Sequence, residues 1–388
     1  MLARHDGGMD TWVRPIRRGW VVRGEVPGPD VDEFAEPDAV TAALASPAGA
    51  GDTLLAAQHP ARTPAALALG LDPVAAMPQA RAMLARLRAE HYRSLNGFVA
   101  VYRIDGGTVS GLQCLVDVRG LNAGIAHVRH TEEVYPEVVA ERAAVLSGLG
   151  CATSAALLVP VNDGVALTEA VDAAAVGRPD VCTVDHAGRV HEVWAVPSGP
   201  VQEHLLQAAS AADLLVADGN HRVAAAEATG SLLALITAGP RLEIGPIHRV
   251  LTGTGFTADQ LAKAWQEAGL TVTSSADRTP PRVPGTAVVL AGETVLHVRL
   301  PNGDPLVIDH EVVERVLFAE ALGLPVDGPH LRPLMAGRPV PEEADAVVQL
   351  APVPFATVRA VHAAGRRMPR KATYFTPKPR GGLVLADL

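Results

Sequence analysis

The segment from Leu214 to Ala226 joins an apolar, strand-like run to a strong helix former through one short polar turn. Gly219 lets the backbone turn tightly and approach a ligand closely. The helix that follows presents unpaired N–H groups and the positive end of its dipole at that point. Asn220, His221 and Arg222 add an amide, an imidazole and a permanent planar cation, which are groups that hold phosphate oxygens. The segment therefore predicts a strand, a turn and a helix with an anion site at the turn.

The same turn has an ordinary alternative interpretation. An Asp-Gly pair before a helix is common, because the aspartate caps the first helical N–H groups. In that case Asp218 would cap the helix, and His221 and Arg222 would lie in solvent. The chemistry of the residues alone leaves both interpretations open.

The length and composition indicate an ordered globular chain. Its 388 residues are enough for a full core and about two or three sub-domains. Hydrophobic residues make up 48% of the chain and aromatic residues only 4%. Cys114, Cys151 and Cys182 lie far apart and in no metal-ligand spacing, so we predict core or surface thiols rather than disulfides or a zinc site.

The charge argues against a nucleic-acid partner, because such partners require a broad basic footprint. The formal net charge is -9 at pH 7, and the sequence pI is about 5.9. The chain shows no charged-then-apolar leader and no apolar stretch of membrane-spanning length. We therefore expect a cytoplasmic protein with no membrane partner, whose oligomeric state the sequence does not give.

Helical and strand-like patterns mix along the chain, which predicts an α+β (mixed α/β) fold. Apolar residues at helical spacing predict helices over Val74–Leu95, Glu133–Gly148, Val201–Ala211, Val223–Thr229, Thr257–Ala268 and Glu311–Leu322. Short apolar runs predict strands over Gly19–Val22, Gly97–Ile104, Gly111–Val118, Ala155–Val161, His191–Val196 and two within Ala287–Leu300. Asp105-Gly106-Gly107 has the composition of a hairpin turn. Residues 1–64 suggest strands and loops with a loose start, and 273–284 suggest a linker.

A polar cluster, Arg129-His130-Thr131-Glu132-Glu133, precedes the second predicted helix. A carboxylate near a bound phosphate can accept the proton of an attacking hydroxyl or hold Mg²⁺. In the alternative interpretation, Thr131 caps the helix while the two glutamates complement its dipole. The spacing does not decide between these roles.

The C-terminal tail is the most basic part of this acidic chain. Tyr374 and Phe375 interrupt its cations, which suits a nucleotide, a nucleic acid or a metabolite phosphate. A terminal strand with a solvated charged face explains the same composition. The cations are Arg366, Arg367, Arg370, Lys371, Lys378 and Arg380. The His248-Arg249 pair is a weaker signal, because an isolated His-Arg is usually structural or merely exposed.

Taken together, these segments resemble a bacterial and archaeal family of uncharacterised proteins, domain-of-unknown-function family ten-fifteen, from about Val13 to the C-terminus. The family's Ile-Ala-Asp-Gly-His-His-Arg box corresponds to residues 216–222 here. Its His-x-Leu-Trp element resembles His191-Glu192-Val193-Trp194, and its Pro-x-His-Arg-Val element resembles residues 246–250. Its Met-Pro-Pro-Lys-Ser-Thr-Tyr-Phe-x-Pro-Lys run resembles residues 368–378. The family is similar to free serine kinases of the ParB/sulfiredoxin-like superfamily.

The resemblance implies a ParB/sulfiredoxin-like nucleotide-binding core over residues 121–252. An N-terminal α+β region, 1–120, and a C-terminal α+β region, 253–388, would flank it, with the basic tail returning to the core. Glu132 would be the catalytic base, and Asp218 would assist it or bind Mg²⁺. The implied nucleotide or phosphate contacts are Gly219, Asn220, His221, Arg222, Lys371 and Thr373. Further candidate contacts to substrate or phosphate are Arg129, His248, Arg249 and Lys378.

Three departures from the family pattern bear on activity. Thr131 replaces the His expected before Glu132, and Asn220 replaces the first His of the box. Asn keeps a hydrogen-bonding role but cannot transfer a proton. Ala372 stands where relatives have Ser. Sulfiredoxin chemistry is excluded, because its nucleophilic Cys has no equivalent in this box.

The sequence therefore predicts a small-molecule kinase that uses ATP or ADP with Mg²⁺ to phosphorylate free L-serine. Phosphoryl transfer needs few groups, since positioning and charge neutralisation do most of the catalysis. One alternative is a catalytically silent nucleotide-binding or regulatory protein, in which Thr131 and Asn220 abolish turnover. Another is a ParB-like nuclease or DNA-binding protein, which the acidic pI opposes.

Overall fold

The computed structural model describes residues 12–31, 37–121, 124, 126–162, 164–238, 242–301 and 304–388. Helices and strands mix along these residues, which confirms the predicted mixed α and β architecture. Contacts divide the chain into two compact units. The first unit comprises residues 1–129, 134–242 and 377–388, and the second comprises 130–133 and 243–376. The start of the chain, predicted to be loose, lies outside the described residues.

The strands of the described chain are numbered in sequence order. They are β1 (Val13–Arg14), β2 (Ile16–Val22), β3 (Tyr92–Ile104), β4 (Val109–Asp117), β5 (Val128–Arg129), β6 (Cys151–Ala152), β7 (Ala156–Pro160), β8 (Val181–Val184), β9 (Val190–Pro197), β10 (Leu214–Asp218), β11 (Ser231–Ile236), β12 (Glu243–Gly245), β13 (Ile247–Thr252), β14 (Thr271–Ser275), β15 (Thr286–Ala291), β16 (Thr294–Arg299), β17 (Leu331–Met335), β18 (Ala344–Gln349), β19 (Tyr374–Thr376) and β20 (Val384–Asp387).

The α-helices are numbered in the same way. They are α1 (Pro37–Ala45), α2 (Leu54–Gln58), α3 (Pro64–Ala68), α4 (Pro73–His91), α5 (Pro136–Leu149), α6 (Val165–Ala174), α7 (Pro200–Ala209), α8 (Asn220–Ala226), α9 (Ala258–Glu267), α10 (Asp309–Val312) and α11 (Phe355–Ala363). A 3₁₀ turn covers Pro60–Arg62, and a π-helix, Val313–Glu320, continues α10. Within the described residues, no helix has both the length and the apolar character needed to cross a membrane.

A large sheet organises the first unit. Among the residues that the structure describes, its twelve strands run in the order β5-β10-β7-β11-β4-β3-β2-β20-β6, with β1 beside β4 and with β9 joining β8 to β3. Strand β10 runs parallel to β5 and antiparallel to β7. The core of this unit is aliphatic, and it includes Val99, Leu112, Leu158, Val216 and Ile236. These completely buried side chains fix β10 inside the sheet, so its last residue has a defined position.

Local signals set the ends of several elements in the first unit. Asp72 caps α4 by accepting the Ala75 N–H at 2.7 Å, and Pro73 occupies the first helical position. Helix α5 ends at Leu149 and is followed by Gly150, whose φ of 60° is the left-handed conformation expected after a helix. The predicted hairpin is confirmed, since β3 and β4 pair antiparallel across the turn at residues 105–107.

The second unit contains a six-stranded sheet, counted over its described residues, in the order β14-β16-β15-β18-β13-β17. A separate pair joins β12 to β19. Thr257 and Gln260 form a reciprocal capping box at the start of α9. On the same helix, the buried Trp265 donates its indole N–H to the Leu317 carbonyl at 3.0 Å. This bond satisfies the polar atom of the largest core side chain.

Several predicted elements differ from the structure. The helix predicted to reach Leu95 ends at His91, because Tyr92 is buried and begins β3. The predicted linker is wrong over its first residues, since β14 pairs with β16 along Thr271–Ser275. The alternation of Thr, Val and Ser in that segment suits a strand. The N-terminal region also contains the short helices α1 and α2, which its composition did not indicate.

Strand pairing joins segments that are distant in the sequence. In the first unit, β20 pairs with β2 and β6, so the last residues of the chain belong to the large sheet. Strands β3 and β4 pair in the same sheet with β9 and β11. The predicted division into three regions, at residues 120 and 252, stays a prediction.

Candidate functional site

The polar turn at the end of β10 belongs to the first unit. Leu214, Leu215 and Val216 are completely buried, whereas Asp218 at the end of the strand is only partly buried. Gly219 has φ +90°, a left-handed conformation that favours glycine. A Cβ added there would lie 3.4 Å from the Ala156 Cβ, which is an ordinary contact. The backbone conformation, rather than lack of space, therefore requires glycine at this turn.

The helix after this turn differs from the prediction in start and length. Helix α8 begins at Asn220 and ends at Ala226, whereas the pattern placed it over Val223–Thr229. Seven residues make only two turns, so the dipole argument made from the sequence carries little weight. Gly219 occupies the capping position, and no side chain caps the helix there. The N-cap position therefore belongs to Gly219 rather than to Asp218.

An ion pair marks the turn. The Lys378 Nζ lies 2.6 Å from Asp218 Oδ1, and each of these side chains is 24% exposed. The pair therefore places one ammonium group and one carboxylate at a partly exposed position beside the turn. The sequence predicted both residues as site candidates, and the structure brings them together.

His221 and Arg222 are half-buried rather than solvated. The His221 Nε2 accepts the Tyr135 N–H at 2.9 Å, and the two rings stack with centroids 5.6 Å apart. Arg222 donates from Nη1 to the Ala155 carbonyl. Asn220 is buried, with 8% of its surface exposed. These contacts orient the box residues and exclude the interpretation that places His221 and Arg222 in solvent.

Arg129 lies at the end of β5, the strand beside β10, and its side chain is exposed. Its Nη2 donates to Asp213 Oδ2 at 2.8 Å, and His127 Nδ1 lies 2.9 Å from the other oxygen of the same carboxylate. The Asp213 carboxylate therefore binds this cation on the protein surface.

Glu132 belongs to the second unit, where backbone N–H groups surround its carboxylate. Oε1 accepts the N–H groups of Ala372 and Thr373 at 3.0 and 2.7 Å, and also the Thr373 hydroxyl at 2.6 Å. Oε2 accepts the Lys371 N–H at 3.1 Å. The side chain is 7% exposed. We call residues 371–373 the amide cradle. Because α5 begins at Pro136 with no side-chain cap, the interpretation that Thr131 caps this helix is wrong.

Arg249 holds the other side of the amide cradle. It donates to Glu314 Oε1 from Nη2 and Nε, at 2.6 and 2.9 Å. It also donates to the carbonyls of Lys371 and Arg370, each at 3.1 Å. The guanidinium is buried, with 2% of the residue's surface exposed. Sequence reasoning missed Glu314, which lies 65 residues away on the π-helix.

The hydrogen bonds of Glu132 and Arg249 with the amide cradle explain the strained backbone of Lys371. Lys371 has φ +53°, a left-handed backbone conformation that is rare for residues other than glycine. Such strain costs on the order of 1–3 kcal/mol and persists only where the surroundings fix the backbone. Glu132 binds the N–H side of this loop and Arg249 its carbonyl side, so both fix Lys371 in this conformation.

His248 precedes Arg249 on β13 and is buried. Its Nδ1 accepts the Leu350 N–H at 3.1 Å. Burial, with the adjacent Arg249 charge, lowers the pKa of His248 to about 4. This imidazole is therefore neutral at pH 7, and the structure supports a structural role for the His-Arg pair.

Most cations of the tail pair with carboxylates of their own unit. In the second unit, Arg366 pairs with Asp304 and Glu311, Arg367 with Glu133, and Arg370 with Asp327. In the first unit, Lys378 pairs with Asp218 and Arg380 with Asp30. The tail is therefore a set of ion pairs rather than an open basic patch.

The His191 element is part of a buried network in the first unit. The Arg380 N–H donates to the Tyr102 hydroxyl at 3.0 Å, and that hydroxyl lies 2.7 Å from His191 Nδ1. His191 Nε2 lies 3.0 Å from Asp185 Oδ2. Burial lowers the pKa of His191 below its ordinary value. Burial alone would raise the pKa of Asp185, but hydrogen bonds from His191 and Arg189 lower it to about 2. The network holds a tail residue against the sheet.

The donor set fits a magnesium ion only in part. Over the residues that the structure describes, no group of three or more His, Cys, Asp or Glu side chains is arranged to hold a metal. Mg²⁺ commonly uses one or two carboxylates and completes its shell with water and ligand phosphates. Asp218 fits the first requirement, so any metal here depends on a bound phosphate. The thiols agree with the prediction, since Cys114 and Cys151 are buried, Cys182 is exposed, and all three are free.

Comparison with protein families identifies the chain's family. The model described as a protein of unknown function, DUF1015, matches residues 76–316, more than half of the chain. The chain belongs to this family. No curated protein matches the chain.

Several solved structures are similar to this DUF1015 protein at low identity. A conserved hypothetical protein from Pyrococcus furiosus is 13% identical with a TM-score of 0.38, over 69% of this chain and 93% of that one. A free serine kinase in complex with AMP is 14% identical with a TM-score of 0.39, over 70% and 92%. A C-terminally truncated SbnI from Staphylococcus aureus is 15% identical with a TM-score of 0.39, over 69% and 84%.

Proposed function

We propose that this protein is a phosphotransferase that moves a phosphoryl group from ATP or ADP to the hydroxyl of a small alcohol, with free L-serine as the acceptor. The observation that carries the proposal is the Lys378–Asp218 pair at the glycine turn after β10. A phosphate needs a cation, and a phosphate-bound Mg²⁺ needs a carboxylate. The turn offers both groups 2.6 Å apart. The resemblance of residues 216–222 to the family's box supports the same assignment.

The proposal gives each group of the turn a role. Lys378 and the Gly219 backbone would contact phosphate oxygens, with Asn220, His221 and Arg222 as the further contacts that the box resemblance implies. Asp218 would hold Mg²⁺, which when bound neutralises phosphate charge. In this proposal, residues 121–252 are the ParB/sulfiredoxin-like core and the protein is cytoplasmic.

The reaction needs a proton acceptor. A bond forms between the acceptor oxygen and the transferred phosphorus, the bond to the donor's bridging oxygen breaks, and the hydroxyl proton leaves to a base. The proposal assigns the base to Glu132. Its Oε1 already accepts three hydrogen bonds, whereas Oε2 accepts one from the amide cradle. The proton would therefore go to Oε2.

A second candidate function is a nucleotide-binding protein without turnover. The hydrogen bonds to the Glu132 carboxylate favour it, because donors of residues 371–373 already occupy both oxygens. Asn220, which cannot titrate, favours it as well. Nucleotide binding without phosphoryl transfer distinguishes this candidate from the kinase.

The test is a direct assay of the full-length protein. Purified chain, L-serine, Mg²⁺ and either ATP or ADP are incubated, and O-phosphoserine is followed by ³¹P NMR and mass spectrometry. The proposal predicts O-phosphoserine with at least one nucleotide and none with Asp218→Asn. Formation of no O-phosphoserine with either nucleotide would overturn the serine kinase, and nucleotide binding under the same conditions would then support the silent binder.

A further inference from the structure

A cavity in the first unit lies behind helix α8. Its volume is about 60 Å³, and its walls come from α5, α8, the segment 151–154 and the start of β11. A water molecule needs roughly 10–15 Å³ by this measure. The cavity can therefore hold the head group of a small ligand rather than a whole nucleotide.

The charged residues that line this cavity are arginines. Arg142 and Arg222 line it from two helices that pack together, and no Asp or Glu among the described residues lines the space. Both arginines also interact with other groups of the chain. His59 follows the lining residue Gln58 in the sequence, and its pKa falls to about 3 through burial and the charges of Arg142 and Arg62. This shift places the Arg142 and Arg62 charges close to His59, and Arg62 also pairs with Glu141 at 3.9 Å.

Two hydroxyl groups of the lining can donate a hydrogen bond to a ligand. The Thr153 Oγ1 accepts the Gln58 Nε2–H at 2.5 Å, and the Ser231 Oγ accepts an Arg14 N–H at 3.2 Å. Because each oxygen accepts from a neighbouring side chain, its own proton remains to be donated. Both residues line the cavity. Guanidinium and hydroxyl donors without a carboxylate suit an oxyanion.

The cavity has a lining distinct from the turn at the end of β10. Arg222 lines it, whereas Asp218, Gly219 and Lys378 do not. Arg142 and Thr153 belong to no motif found in the sequence. Arg142 reaches the cavity through the packing of α5 on α8, and Thr153 reaches it from the segment after β6.

We propose that this cavity binds the oxyanion group, carboxylate or phosphate, of a small ligand, and that Arg142 is a binding residue for it. Assigning the anion to the acidic group of the acceptor or its phosphorylated product rests on the proposed function. Binding itself does not depend on turnover. The aliphatic side chains that complete the walls would exclude water from this ion pairing.

The test measures binding of small anions to the full-length protein by isothermal titration calorimetry, with inorganic phosphate, L-serine, O-phospho-L-serine and ADP as probes. We expect at least one of the first three to bind, and Arg142→Met to weaken that binding at least tenfold. Thr153→Val removes one hydroxyl donor at nearly constant shape and should weaken it severalfold. Arg178→Met, which changes an exposed arginine of the same unit, is the matched control and should change nothing.

The outcomes separate this inference from the proposed function. Anion binding that depends on Arg142 in a protein without turnover would support the cavity and overturn the kinase. Binding that survives Arg142→Met and Thr153→Val but is lost in Lys378→Met would place the anion at the turn and overturn the cavity. The inference would also be overturned if the wild-type protein bound none of inorganic phosphate, L-serine and O-phospho-L-serine.

Discussion

The ammonium group of Lys378 and the carboxylate of Asp218 meet at 2.6 Å where β10 ends. The two residues are 160 positions apart in the sequence but belong to the same unit. Their pairing places a cation and a hard oxygen ligand beside a glycine turn. The proposed phosphate site depends on this pair rather than on the short helix that follows.

Removal of the Lys378 charge should weaken ADP binding, whereas removal of the Asp218 charge should change how ADP binding depends on Mg²⁺. Lys378→Met should weaken ADP binding about tenfold or more, because it removes a charged phosphate contact. Asp218→Asn should abolish the difference between ADP affinities measured with and without Mg²⁺. Calorimetric titrations check both, and Lys263→Met, an exposed lysine of α9, serves as the control. Equal ADP affinity in all three variants would remove the turn as the phosphate site.

Glu132 should affect turnover rather than nucleotide affinity. Glu132→Gln removes the proposed base, so the rate of O-phosphoserine formation should fall at least a hundredfold while ADP affinity stays unchanged. Thr373→Val removes one hydrogen bond to this carboxylate and leaves the acid in place. It should destabilise the fold by about 1.5–3 kcal/mol and keep turnover. A fully active Glu132→Gln protein would exclude this residue as the base.

The buried ion pair behind the amide cradle should show strong coupling. Arg249→Met leaves Glu314 without its main partner and should destabilise the protein by about 3–5 kcal/mol. The double variant Arg249→Met, Glu314→Met removes both charges and should recover part of that loss. Urea unfolding measures the two free energies. If the double variant is no more stable than Arg249→Met alone, the predicted coupling between Arg249 and Glu314 is mistaken.

The buried imidazoles predict a loss of stability in mild acid. Burial lowers the pKa of His59 and His310 to about 3 each and contributes to the value of about 4 for His248. Folded-state pKa values below the ordinary 6.5 mean that the unfolded chain binds these protons first as the pH falls. Stability is therefore fully present above about pH 6.5 and is lost as the pH falls toward these values, by about 2 kcal/mol per imidazole at pH 5.

Urea unfolding at pH 7.5 and pH 5.0 measures this effect. His310→Gln keeps a side-chain donor for the Ile247 carbonyl, and its stability should fall less between the two pH values than that of the wild-type protein. His186→Gln alters an exposed imidazole and should leave the pH dependence unchanged. Identical pH dependence in the wild type and His310→Gln would rule out this residue as a source of the acid sensitivity.

Local patterns predicted the elements that local interactions determine. The hairpin at residues 105–107 follows from three residues suited to positive φ, and β10 follows from its apolar run. Helix α9 follows from the helical spacing of its apolar residues, and the structure shows that a capping box starts it. These features depend on neighbours within a few residues, so the sequence displays them directly.

Long-range pairs could not be predicted in the same way. Nothing near Arg249 identifies Glu314 as its partner, and nothing near Glu132 identifies residues 371–373 as its donors. The alternative in which Thr131 caps a helix failed because residues 131–133 pair with Met368 instead. Packing between segments 65 to 241 positions apart decides such contacts. A single sequence does not record them.

The most direct test of the central claim locates the bound nucleotide by hydrogen–deuterium exchange with mass spectrometry. ADP and Mg²⁺ are added to the full-length protein, and exchange is compared with that of the free protein. The phosphate site predicts slower exchange in peptides that cover residues 218–223 and 376–380, with no such protection in Lys378→Met. Nucleotide binding that leaves both segments unprotected would contradict it.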